Sequence, residues 1–198
     1  MVYLQVSRGT APRDHFFPTQ TNPVLVITAR SVDRKAAAAK AETGIKVITQ
    51  PDIRWGRCDI KTVGLLPNVL AKQAAKEAGA SDVLFVDDDG FITEGGSANA
   101  YIVDQSGVVR TRSLSANILA GITRAQLLKL IGRTDIQVKE ETFTVAEAIN
   151  AKEVFVTAAT SLVMPIVEID GHKVADGKPG PIATALRAAY IANAIADT

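Results

Sequence analysis

Apolar residues fall in short blocks along most of the chain, separated by glycine, proline and aspartate. Residues 2–6 and 23–30 each read as a strand, with a Gly- and Pro-punctuated loop at 8–15 between them. Two strands cannot bury their own faces, and residues 31–43 are polar and Ala/Lys-rich, which suits a linker or a short helix. Residues 45–49 form a strand, and 69–79 carry apolar positions at helical spacing with Gly79 as a stop. Short strands at 83–86, 91–94, 100–103 and 108–111 alternate with Asp-Gly and Ser-Gly turns, a pattern that predicts antiparallel sheet. A second helix opens at Gly121 and runs to about residue 131, and Thr144-Val-Ala-Glu147 has the capping-box spacing of a short helix. Strands at 153–157 and 164–169 and a closing helix from Pro181 to Ala196 complete the chain. The expected fold class is therefore α/β with a mixed (α+β) sheet over residues 35–198, preceded at 1–34 by part of another unit.

Composition narrows the functions open to such a chain. Its 198 residues suffice for one good-sized domain. A net charge of +1 with scattered Lys and Arg gives no general pull toward nucleic acid or an anionic membrane. The single cysteine, Cys58, excludes an internal disulfide and fits a reducing compartment. No apolar run reaches the length of a membrane span and the N-terminus lacks a signal-peptide layout, so the expected location is cytoplasmic. Two histidines, His15 and His172, with one cysteine supply no metal cluster at ligand spacing.

Four places remain that could carry chemistry. Lys61 lies between Ile60 and the apolar run 63–66, at the end of a strand-like stretch and before a helix. A partly desolvated lysine has a lowered pKa and can attack a carbonyl; a lysine whose head group reaches water past an apolar wall has the same neighbours. Glu94 ends a strand before Gly95 and Gly96, where a carboxylate could hold a protonated ring nitrogen and glycine admits a flat ligand. Gly121-Ile-Thr123 at a helix start offers free N–H groups to a phosphate, although an ordinary N-cap also accounts for Thr123. The small-residue turn Thr157-Ala-Ala-Thr-Ser161 could add further N–H donors. Together these supply an amine, a partner for a ring nitrogen and two anion cups, the set that pyridoxal 5′-phosphate requires.

Arg57-Cys-Asp-Ile-Lys61, Ile92-Thr-Glu-Gly-Gly-Ser-Ala-Asn99, Ile118-Leu-Ala-Gly-Ile-Thr-Arg124 and Phe155-Val-Thr-Ala-Ala-Thr-Ser161 resemble, in order and spacing, the motifs of the class IV (fold type IV) aminotransferases. The segment from Tyr3 to His15 is similar to the D-amino acid branch of that family rather than the branched-chain branch. The resemblance implies a large cofactor-binding domain at 35–198 and a remnant of the small N-terminal domain at 1–34. It makes Lys61 the Schiff-base lysine and proton shuttle, and Glu94 the partner of the pyridine nitrogen. Gly121, Ile122 and Thr123 would bind the phosphate, with Leu119 under the ring, Ser97 as a supporting hydroxyl, and Ala158, Ala159 and Thr160 as the second cup. Arg13 and His15 would grip the substrate carboxylate from the neighbouring subunit of a homodimer. The implied reaction moves an amino group from a D-amino acid, such as D-alanine, to a 2-oxo acid, such as 2-oxoglutarate.

Two departures qualify the resemblance. Ala158-Ala159 stands where the D-amino acid branch carries Ser-Thr, which removes two phosphate hydroxyls. The family's small domain also supplies a phosphate-binding arginine and an active-site tyrosine ahead of the region matched here, and losing the arginine contact would cost roughly 2–4 kcal/mol. Branched-chain aminotransferase and aminodeoxychorismate lyase are the alternatives within the family, and a non-catalytic remnant is the alternative outside enzymes.

Overall fold

The computed structural model describes residues 1–196. The chain divides into two units, Met1–Lys35 and Ala36–Thr198. In the first, β1 (Val2–Ser7) and β2 (Val24–Ala29) form an antiparallel hairpin with Val2 opposite Ala29 and Ser7 opposite Val24. Every residue of both strands is exposed, so this hairpin buries neither of its faces within the unit. The long connection is pinched where Gly9 takes φ 122°, and the Arg8 guanidinium lies 4.5 Å from the ring centre of Phe17.

The polar stretch before the first central strand is a helix, α1 (Arg34–Thr43), as its alanines and lysines favour. It stops at Gly44, whose φ of 74° is the left-handed conformation that ends helices and that a side chain would strain. Then follow β3 (Ile45–Pro51), α2 (Leu66–Glu77), β4 (Asp82–Val86), β5 (Ile92–Gly95), β6 (Asn99–Val103), β7 (Val109–Thr111) and α3 (Ile122–Ile131). The remainder comprises β8 (Val138–Glu140), α4 (Val145–Ile149), β9 (Glu153–Ala158), β10 (Leu162–Ile169), β11 (His172–Lys173) and α5 (Pro181–Ala196).

These strands make one mixed sheet in the order β5-β4-β3-β10-β9-β6-β7-β8, with β11 beside β10. β3 runs parallel to β4 and to β10, and β7 parallel to β8, while the other pairs are antiparallel. The antiparallel meander expected over 83–111 is thus two separate hairpins, β4-β5 and β6-β7. The intervening positions are filled by β3, β10 and β9, a long-range pairing that no local turn signal encodes. Only three residues separate β5 from β6, and a single bridge between Gly95 and Ala98 joins them. The sheet must therefore curl until its first strand meets its sixth.

Curling gives the sheet an inner and an outer apolar face. Inside lie Leu84, Ile92, Ile102, Val154, Val156 and Ile166, reached also by Phe143 and Ala148 of the α4 region. Outside, Tyr101 and Phe155 stack with ring centres 4.7 Å apart beneath Leu127, Ile131 and Leu186 of α3 and α5. The central strands β6 and β9 are buried on both faces, which explains their unbroken apolar runs. Glu153 at the start of β9 fixes α5, its carboxylate accepting from the N–H of Ile182 at 2.9 Å and of Ala183 at 2.8 Å.

Two sequence expectations are corrected, and one strand is added. α2 starts at Leu66 rather than 69 because Pro67 pre-sets the first turn, and it ends at Glu77, before Gly79. Lys61 does not end a strand: β3 stops at Pro51, and Lys61 lies in the loop that leads to α2. β8 was not expected, since three residues that are mostly solvent-facing leave no alternation to detect.

Candidate active site

The loop after β3 is tied down by one arginine. Arg54 makes a two-pronged pair with Asp52, Nε to Oδ1 at 2.8 Å and Nη2 to Oδ2 at 2.6 Å, and its Nη1 pairs with Glu94. It also donates to the Asn117 carbonyl at 3.2 Å and lies 4.6 Å from the ring centre of Phe85. The three charged side chains are nearly sealed from water, with exposures of 6% for Arg54, 10% for Asp52 and 8% for Glu94. Burial pushes the Asp52 carboxyl up, but hydrogen bonds from Arg54 and Thr93 outweigh it and hold the group below its ordinary value. For Glu94 the balance is reversed: burial dominates and lifts the carboxyl above its ordinary value despite Arg54. Cys58, farther along the loop, is raised by burial, and its Sγ donates to the Trp55 carbonyl at 3.3 Å. Lys61 itself is exposed.

Glu94 is also held from its other side. Its Oε2 accepts from the Leu119 N–H at 3.1 Å and from Asn99 Nδ2 at 3.3 Å, and the same Asn99 amide donates to the Leu119 carbonyl at 2.8 Å. Asn99 stands at the start of β6 with its backbone in register with Thr157 at the end of β9. On its other flank is Gly121, the N-cap of α3, where a Cβ would overlap Asn99 Oδ1. Asn99 thereby connects Glu94, the first turn of α3 and the turn that follows β9.

The start of α3 could take an anion beyond Gly121, whose own N–H donates to the Leu119 carbonyl at 2.9 Å. Gly121 gives α3 no side-chain cap, and the first amides of a helix have no intrahelical acceptor. Thr123 is 2% exposed, and its hydroxyl has no hydrogen-bond partner among the described residues. A buried orphan at a helix N-terminus fits an anion that brings its own acceptors. Glu94 fits a protonated ring nitrogen, since three of its roughly four lone-pair positions are taken.

The structure thus gathers Glu94, Leu119 and Gly121 at Asn99; Ile122 and Thr123 follow Gly121 in the first turn of α3, and Ala158 follows Thr157, the strand partner of Asn99. Ala159 and Thr160 are exposed in the turn after β9 and Ala158 is half-buried. Ser97 is exposed in the connection between β5 and β6. Arg13 and His15 are exposed on the loop of the first unit, where the His15 N–H donates to Asp14 Oδ1 at 2.6 Å. Sequence reasoning missed Asn99 and Arg54. Asn99 lay inside a quoted motif, but its role depends on strand pairing; Arg54, two residues from Asp52, was visible only as a possible local ion pair.

The family described as Amino-transferase class IV matches residues 1–169. The chain belongs to the class IV aminotransferases. It is 38% identical over 197 residues to a D-alanine aminotransferase of Bacillus licheniformis, covering all of this chain and 68% of that protein. It is 42% identical over 190 residues to the D-alanine aminotransferase of Staphylococcus haemolyticus, covering 96% of this chain and 66% of that protein. The chain thus spans about two thirds of the length of these relatives. Among solved structures, the branched-chain amino acid aminotransferase of Escherichia coli superposes with TM-score 0.84 at 24% identity, covering 96% of this chain and 64% of that one. A second branched-chain amino acid aminotransferase, complexed with N-(5′-phosphopyridoxyl)-L-glutamate, gives TM-score 0.70 at 30% identity over 76% of this chain and 52% of that one. The mixed α/β fold is accordingly that of the fold type IV aminotransferases, whose cofactor is pyridoxal phosphate. Among the described residues no helix is long and apolar enough to cross a membrane.

Proposed function

We propose that this class IV aminotransferase chain transfers amino groups between a D-amino acid, such as D-alanine, and a 2-oxo acid, such as 2-oxoglutarate. The observation that carries the reading is the buried Glu94, backed by Asn99 and Leu119 and set beside an uncapped helix N-terminus with an orphan hydroxyl. Pyridoxal phosphate bound there supplies the electron sink for the reaction. Glu94 keeps a proton on the ring nitrogen, while the amides of Ile122 and Thr123 and the 158–160 turn hold the phosphate. Lys61 contributes the amine that anchors the cofactor and the Nζ that moves the proton. Leu119 orients the ring, and Ser97 supports the rim of the site.

The D-amino acid reading rests on identities of 38–42% to D-alanine aminotransferases, against 24–30% to the branched-chain enzymes of similar fold. In the same reading residues 1–34 belong to a small N-terminal domain and 35–198 form the cofactor domain. The chain works in the cytoplasm as a homodimer, in which Arg13 and His15 grip the substrate carboxylate in the neighbouring subunit. Ile53, Val63, Leu66 and Val69 of the 53–70 segment are at least 60% exposed, which suits burial between two copies.

The test is to add pyridoxal phosphate, dialyse, and record the visible spectrum, then supply D-alanine or L-leucine with 2-oxoglutarate. A retained visible band and preference for D-alanine are expected. Only free-cofactor absorbance would support the non-catalytic remnant, and preference for L-leucine the branched-chain alternative.

A further inference from the structure

Arg187, on α5, is a half-buried cation that the reaction does not use. Its Nη1 donates to two backbone carbonyls, Ser161 and Val163, both at 2.6 Å. Burial pulls the guanidinium below its ordinary pKa, and no ion pair joins it to a carboxylate among the described residues. The two carbonyls bracket Leu162, which stands at φ 57°. A branched side chain in that left-handed region is disfavoured and persists only where its surroundings hold it. Leu162 pairs with Ala158, so Arg187 grips the base of the hairpin loop formed by Ala159, Thr160 and Ser161.

The direction of the grip bears on that loop's chemistry. In a planar trans peptide the C=O and N–H point opposite ways. With the Ser161 carbonyl turned toward α5, the Leu162 N–H of the same peptide points away from Arg187. A carbonyl left free to rotate toward the cup would place a negative dipole against a phosphate. We propose that Arg187 is a positioning residue for the phosphate: by holding the Ser161 carbonyl, at the end of the turn after β9, and the Val163 carbonyl in β10, it keeps the exit of that turn oriented toward α5 and leaves the turn's amides to serve as donors. The role also bears on Ala158 and Ala159, which lack hydroxyls: at those two positions only the orientation of the backbone can offer donors to an anion. This inference rests on the cofactor reading given above.

The experiment compares pyridoxal phosphate with pyridoxal, which lacks the phosphate. Dissociation constants are measured from the visible band and from quenching of Trp55 in the parent, Arg187→Met and Arg187→Lys. Arg187→Met should weaken pyridoxal phosphate about tenfold, the equivalent of ~1.4 kcal/mol, and leave pyridoxal unchanged. Arg187→Lys, still able to donate to both carbonyls, should recover most of the loss. Equal weakening of both ligands would show a merely structural role and overturn the proposal, as would unchanged binding of both. A parent that binds pyridoxal phosphate no better than pyridoxal would overturn the cofactor reading and, with it, this role for Arg187. A parent that separates the two ligands alongside an indifferent Arg187→Met would overturn this inference alone.

Discussion

Replacing Arg54 by methionine tests the buried charge cluster directly. The substitution keeps much of the aliphatic bulk but removes the cation that serves Asp52 through two bonds and Glu94 through one. Both carboxylates are at least nine-tenths buried, so water cannot take over the lost role. Breaking a buried ion pair from one side costs about 3–5 kcal/mol, a large part of the roughly 5–15 kcal/mol that holds a typical domain together. The pH dependence follows from the same geometry. In the parent, Asp52 has a lowered folded pKa; its stabilisation is present above the ordinary value of 3.8 and is lost as pH falls through the folded value. Glu94, raised above 4.5, acts in the opposite sense and loses stability as pH rises through its folded value. Without Arg54 both carboxyls are raised, so the variant's deficit is complete at about pH 8 and relieved by proton uptake toward about pH 5. Each unit by which a folded pKa exceeds the unfolded one corresponds to about 1.4 kcal/mol. Denaturant unfolding at the two pH values, followed by circular dichroism and by the fluorescence of Trp55, measures both effects. A deficit below about 1 kcal/mol at the higher pH, or one equal at both pH values, would refute the picture of a desolvated cluster organised by Arg54.

Lys61→Ala should abolish the retained visible band and the transamination while leaving the circular dichroism unchanged, because the Lys61 side chain is exposed; parental activity in that variant would remove Lys61 from the reaction. Gly121→Ala should destabilise by about 1–3 kcal/mol through overpacking against Asn99 and weaken cofactor binding with it. Gly132→Ala serves as its control, since Gly132 has φ −61° and ordinary contacts and its substitution should stay within about 0.5 kcal/mol of the parent. Glu153→Gln should cost about 1–2 kcal/mol in denaturant unfolding, because one amide oxygen replaces a carboxylate that serves two N–H groups at the start of α5.

Local signals made most elements readable. The capping box at Thr144 and Glu147 is formed as its spacing requires, and Pro181 opens α5. The order of the strands was not readable, because β3 pairs with β10 across more than a hundred residues and no turn chemistry records that. The site divides along the same line. Glu94 and Gly121 stood out through flanking glycines and a helix start, features confined to a few neighbours. Asn99 did not, because its importance comes from reaching Leu119 and from lying in register with Thr157. Arg54 was hidden for a related reason: its second carboxylate is forty residues away.

The join between β5 and β6 bears on how a ligand enters. Elsewhere the curled sheet is held by ladders of two or more paired positions, but here one bridge, with Gly95 N–H donating to the Ala98 carbonyl at 2.6 Å, joins the first strand to the sixth. Glu94 lies on one side of that seam and Asn99 on the other, so their side-chain bond crosses it as well. A guest that touches both sides acts as a clasp, and slower amide exchange at Gly95 would register its arrival.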